Sequence, residues 1–160
     1  MRLKIGCIGR LKAGAEKDLF DRYIDRARKA GRPIGVGDVT LLELPESRAG
    51  RAADRKREEA ANLLSQLDAR ARLVVLDENG KSLSSESFSE KVFSWVDEGV
   101  GEIVFVIGGA DGHGEEVLQR ADLKLAMGAM TWPHQLVRIL LTEQIYRAIT
   151  IRSGHPYHRS

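Results

Sequence analysis

Two imidazoles, a phenol and a guanidinium fall within five residues at the end of this 160-residue chain: His155, Tyr157, His158 and Arg159, after Gly154 and beside Pro156. Imidazole titrates near neutrality and can take or give a proton. A guanidinium can pair with phosphate or steady a developing anion. Chain ends usually fray, yet exposed segments on a rigid scaffold often carry the chemistry. Upstream, Glu143 and Arg147 stand four apart, an acid ahead of a base on one helix face. A second concentration is the loop GGADGHG, Gly108 to Gly114, which follows an apolar run. Glycines there let a backbone approach a ligand closely, although the same composition also serves a tight turn. The spacing is not G-x-G-x-x-G, which argues against a nicotinamide-dependent enzyme. A third is the basic cluster Arg48, Arg51, Arg55, Lys56 and Arg57. It suits phosphate contacts, or it is a solvated helix face diluted by Asp54, Glu58 and Glu59. His113, His134, His155 and His158 match no zinc spacing, and Cys7 has no partner near it, so no metal is expected.

Those groups need elements to hold them. Residues 2–8 read as a strand with Leu3, Ile5 and Cys7 on one face. Residues 15–30 read as an amphipathic helix, with Leu19, Tyr23 and Ala27 spaced by four and Phe20 and Ile24 beside them. Residues 38–44 read as a strand and 50–69 as a helix ending on Ala60, Leu63, Leu64 and Leu67. Residues 72–77 and 102–107 are short, apolar and β-branched, as strands buried on both faces are. Residues 78–81 read as a turn, and Ser85 to Glu98 as a helix with Phe88, Val92 and Trp95 along one stripe. A short helix ends near Leu118, and Leu123 to Met127 read as a last strand. Pro133 then opens a final helix at its first turn. Its face Val137, Leu141, Ile145 and Ala148 is widened by Leu136, Leu140 and Ile139, which suggests core packing or a partner subunit. This alternation predicts an α/β fold, a mainly parallel sheet flanked by helices, in one domain over residues 1–160.

Hydrophobic residues make up 42% and charged residues 30%, which excludes disorder as the main state. The net charge of +2 does not by itself declare a nucleic-acid binder. A single cysteine suggests a reducing compartment. No secretory leader and no apolar run of spanning length is evident, so no membrane contact is expected and the expected location is the cytoplasm.

The segments VVLDENGK, FVIGGADGHG, MTWPHQLVRILLTEQIYRA and GHPYHR resemble the RlmH family, bacterial 23S rRNA pseudouridine N3-methyltransferases of the SPOUT class. The resemblance covers essentially the whole chain. It implies a deep trefoil knot near the C-terminus, a topology that pattern reasoning alone would reject. It also implies a homodimer, S-adenosylmethionine as cofactor, and the ribosome as partner, through a pseudouridine in the inter-subunit stem-loop of 23S rRNA. Carried over by position, the cofactor-binding residues are Leu76, Gly108, Met127, Gly128, Ala129, Met130, Thr131 and Trp132. The candidate catalytic residues are His158, Arg147, Tyr157 and Arg159. Relatives often carry Ser where this chain has Gly128. The alternative is a non-catalytic RNA-binding protein that keeps the SPOUT-like fold.

Overall fold

A computed structural model describes residues 1–159. Five strands, β1 (Arg2–Ile8), β2 (Asp38–Leu44), β3 (Arg72–Ser82), β4 (Glu102–Ile107) and β5 (Leu123–Ala126), form one sheet in the order β2-β1-β4-β3-β5. Every pairing is parallel. The helices are α1 (Ala15–Gly31), α2 (Ala52–Ser65), α3 (Ser85–Asp97), α4 (Glu115–Arg120) and α5 (His134–Ser153), with a 3₁₀ turn at Arg32–Ile34.

The strand periodicity explains the layers. Alternate residues point to opposite faces, and on β4 all six are buried. Ile103, Phe105 and Ile107 meet one helix layer, with Phe20 and Ile24 of α1, Phe88 and Val92 of α3, and Leu141 and Ile145 of α5. Val104 and Val106 meet the other, with Ala60 and Leu63 of α2 and Val117 of α4. On α1 the deepest positions are Phe20, Ile24 and Ala27, while Leu19 and Tyr23 stay partly exposed. On α5 the buried set includes Ile139, Leu141, Ile145 and Ala148; Leu136, expected to widen that stripe, is exposed.

Two local expectations are corrected. Pro133 is not inside α5 but caps it: its ψ of 142° is extended, and its carbonyl accepts from Val137 N at 3.0 Å. Residues 78–81 are not an independent turn but part of β3. The reason is a second pairing. Leu125 of β5 registers with Leu76 and again with Lys81, and Ala126 registers with Ser82. β3 therefore bows through Asp77–Gly80 and returns to β5, an arrangement that fits the threaded topology implied by the resemblance. Gly80 makes the return possible. A Cβ there would stand 2.7 Å from Leu125 N and 2.7 Å from the Lys124 carbonyl carbon. Because the obstacle is backbone, Gly80→Ala should destabilise the protein by about 1–3 kcal/mol, as overpacking does, read as a lower urea midpoint.

No helix among the described residues is long and apolar enough to cross a membrane.

Candidate active site

A cavity of about 450 Å³ opens beyond the C-terminal ends of β3, β4 and β5. Parallel sheets leave their ligand crevices there, because the loops that follow the strands diverge at that edge. Three segments build it: Leu76 and the bow Asp77–Asn79 from β3, Ile107 and the loop Gly108–His113 from β4, and the segment 127–132 that leads into α5. Leu125 and Val137 complete its apolar wall.

Each segment has a local reason for its shape. Gly112 takes φ 81°, and its N–H donates to the Gly109 carbonyl at 3.0 Å, which curls the β4 loop. The His113 ring turns back across the cavity, and its Nε2 lies 3.1 Å from the Leu76 carbonyl oxygen. That carbonyl can only accept, so Nε2 carries the proton. Trp132 Nε1 donates to the Met127 carbonyl at 3.1 Å and closes residues 127–132 into a ring. Gly128 sits at φ 98°, a left-handed conformation that side chains disfavour. Glycine holds that shape without strain, although the space around a Cβ is open.

Of the residues expected at a cofactor site, Leu76, Gly108, Met127, Gly128, Met130, Thr131 and Trp132 all line the cavity; Ala129 does not. Asp111 and His113 line it too, within the glycine loop already singled out for ligand contact, whereas Asp77, Glu78, Asn79 and His134 were not expected there. The signal for His113 was its place in the glycine loop; His134 had only its neighbour Pro133.

The tail lies elsewhere. Tyr157 Oη donates to Glu143 Oε1 at 2.9 Å, and Arg147 Nη2 meets the same oxygen at 2.6 Å. The Arg147 guanidinium carbon sits 5.0 Å from the Tyr157 ring centre, and the Tyr157 and Tyr146 rings are 4.6 Å apart. His158 Nε2 lies 3.1 Å from Glu86 Oε1 at the start of α3, and its Nδ1 is buried with no partner. Arg159 is exposed. The structure thus brings Arg147, Tyr157 and His158 back along α5, but none of the four lines this chain's own cavity. Burial, and after it Tyr23 and Glu143, push the Tyr157 phenol well above its usual range, so it acts as a donor rather than a base. Cys7 is buried, which pushes its thiol up to about 12 and keeps it unreactive.

The basic cluster also changes character. Arg51 and Arg57 both pair with Asp54 and remain largely exposed. Arg55 instead grips Asp111 of the cavity loop, at 2.7 Å from Nε and 3.1 Å from Nη2. No group of three or more His, Cys, Asp or Glu side chains able to hold a metal occurs among the described residues.

Burial, the largest influence, holds the His113 imidazole below its ordinary value of about 6.5, against the opposing hydrogen bond to Leu76. The unfolded chain then binds a proton that the folded chain resists. Stability should be flat above about pH 6.5 and fall as pH drops below it. Urea titrations at pH 7.5 and 5.5 check this, with a shallower loss expected in His113→Gln.

The family described as "Predicted SPOUT methyltransferase" matches residues 1–158 of this chain. The chain belongs to the SPOUT methyltransferase family. Its similarity to individual SPOUT proteins runs end to end. It is 54% identical to "Ribosomal RNA large subunit methyltransferase H" of Xanthobacter autotrophicus over 160 residues, all of both chains. It is 55% identical to the protein of that name from Allorhizobium ampelinum and 49% to that from Brucella anthropi, again over the full length of both. In the SPOUT fold seen here, the cavity walls come from three segments scattered along the chain, all within the matched range.

Proposed function

We propose that the chain methylates N3 of a pseudouridine in the inter-subunit stem-loop of 23S rRNA, using S-adenosylmethionine and acting as a homodimer on the ribosome. The observation that carries this reading is the full-length identity of about half to proteins named as large-subunit rRNA methyltransferases, joined to a cavity lined by the segment 127–132. An activity on ribosomes implies the cytoplasm.

The residues present fit the cofactor. The cavity volume lies in the range of small-molecule sites, roughly 300–1,000 Å³. Leu76, Leu125, Met130 and Trp132 offer apolar walls for an adenine ring, and the peptide groups of 108–112 and of Met127, Gly128, Met130 and Thr131 offer its edge donors and acceptors. The carboxylates of Asp77 and Glu78 suit hydroxyl and ammonium groups. When bound, the cofactor supplies an electrophilic methyl on a sulfonium.

The protein's part is to orient the uracil ring and ease loss of the N3 proton. His158 can take that proton through its imidazole. Arg159 and Arg147 can steady negative charge on the flanking carbonyls or hold phosphate. Tyr157 can stack on or donate to the base. These groups do not line their own chain's cavity, so the reading has the tail of one subunit serving its partner's cavity. The exposure of Met130 (75%), Trp132 (39%) and Leu136 (41%) around the cavity mouth and the start of α5 supports a surface that a second copy covers.

The test is transfer of labelled methyl to ribosomal subunits and to assembled ribosomes, with the product nucleoside identified by mass. N3-methylpseudouridine is expected. RNA binding with no transfer and no cofactor affinity would favour the non-catalytic RNA-binding alternative.

A further inference from the structure

We propose that Arg55 is a positioning residue for the cavity: by clamping Asp111 it sets the shape of the Gly108–Gly114 loop, and it is not a phosphate ligand. The proposal rests on reading the cavity as the cofactor site.

The geometry of Arg55 leaves it little to offer an incoming phosphate. Nε and Nη2 grip the two Asp111 carboxylate oxygens as a fork, at 2.7 Å and 3.1 Å. Nη1 donates to the carbonyls of Ala49 at 3.0 Å and Gly50 at 3.1 Å. Such forked pairs add directional specificity to charge. Arg55 keeps only 29% of its side-chain exposure, while Arg57 of the same helix and Arg51 just before it keep 68% and 84%.

The clamp works where α2 and the loop already touch. A Cβ on Gly109 would stand 3.0 Å from Glu59 Oε2, and Glu59 is itself fixed by the Ser47 N–H at 2.9 Å. A Cβ on Gly114 would stand 2.8 Å from both the Ala60 Cβ and the Lys56 carbonyl oxygen. At the far side the loop reaches Leu76 through His113. The loop is thus strung between α2 and the end of β3, with Asp111 facing the cavity at its middle. Without Arg55, the Asp111 carboxylate keeps only the weaker, more distant field of Lys56, and the curl from Gly109 to Gly112 loses its side anchor. Small displacements of a positioning group weaken a site out of proportion to their size.

The experiment measures S-adenosylmethionine affinity by calorimetry for the unmodified chain, Arg55→Ala, Asp111→Ala and the double variant, at a temperature where all are folded. Each single change should weaken binding about tenfold, and the double variant should be no worse than either, because both remove one interaction. The exchange Arg55→Asp with Asp111→Arg should regain part of the affinity. In turnover, KM for the cofactor should rise while kcat at saturation stays within about threefold. A merely structural role would lower the melting temperature and leave the affinity of the folded protein unchanged; that result overturns the proposal. So does a raised KM for rRNA with a weaker salt dependence in Arg55→Ala but not in Asp111→Ala, the pattern of a lost phosphate contact. If the unmodified chain binds no S-adenosylmethionine, the reading of the cavity falls and this proposal with it. If it binds and the variants bind equally, only the proposal falls.

Discussion

Truncation after Gly154 will lower methyl transfer by at least about a hundredfold, the scale of a lost acid–base group, and leave S-adenosylmethionine affinity within a few-fold. The two effects separate because of where the groups sit. The cavity walls come from β3, β4 and residues 127–132, and no residue of the tail is among them. Removal of the tail does cost packing, since Tyr157 lies against Tyr146 and donates to Glu143. The single change His158→Ala separates that cost from chemistry, because it should reproduce most of the loss in transfer with the Tyr157 contacts kept. Calorimetry, a melting curve and labelled-methyl transfer on the same preparations decide it. Full methylation by the truncated chain would end the case for a catalytic tail.

The largest stability effect is expected far from that tail. Arg138 is 4% exposed, on the second turn of α5. Its Nη1 meets Glu43 Oε2 at 3.0 Å, and its Nη2 donates to the Gly9 carbonyl at 2.9 Å. Glu43 in turn accepts the Leu11 N–H at 2.8 Å. One guanidinium thus ties α5 to the ends of β1 and β2. Removing one member of a buried ion pair costs about 3–5 kcal/mol, mostly because the other charge is stranded. Glu43 is partly exposed and can recover some hydration. Arg138→Ala is therefore placed at the lower end, about 3 kcal/mol. Arg138→Met with Glu43→Leu should recover much of the loss, since it leaves no charge behind. Urea denaturation measures both, and a loss below about 1 kcal/mol in Arg138→Ala would show that water replaces the network.

Arg138 also marks where reading the sequence stops. An arginine inside a helix ordinarily faces water, yet Arg138 faces inward, and its partners Gly9 and Glu43 lie 129 and 95 residues away. Arg55 follows the same rule: its neighbours Asp54, Glu58 and Glu59 suggested a solvated face, and its partner Asp111 is 56 residues on. The strands were legible because their signal is local. Five consecutive apolar positions after Glu102 in β4 read as a strand buried on both faces, and on α1 the spacing of Leu19, Tyr23 and Ala27, with Phe20 and Ile24 beside them, located the face to within one position of the buried set Phe20, Ile24 and Ala27. Residues 78–81 carry Asn-Gly, a sound turn signal, and were drawn into β3 by a strand more than forty residues later. The cavity was legible only in pieces. The glycine loop could be read from composition, the segment 127–132 only through resemblance, and the turning of His113 toward Leu76 through neither.

The double meeting of Leu125 with Leu76 and Lys81 orders events at birth. A ribosome releases the bow of β3 well before β5, and the bow has nothing to close on until β5 arrives. The segment 127–132 follows β5, and Val137 of α5 lines the cavity, so the cavity is incomplete on a nascent chain that still lacks α5. A cofactor that binds only the finished cavity gives no help to the partly made protein. Its stabilising effect begins only once α5 has been made, and the chain must reach its most demanding strand placement unaided.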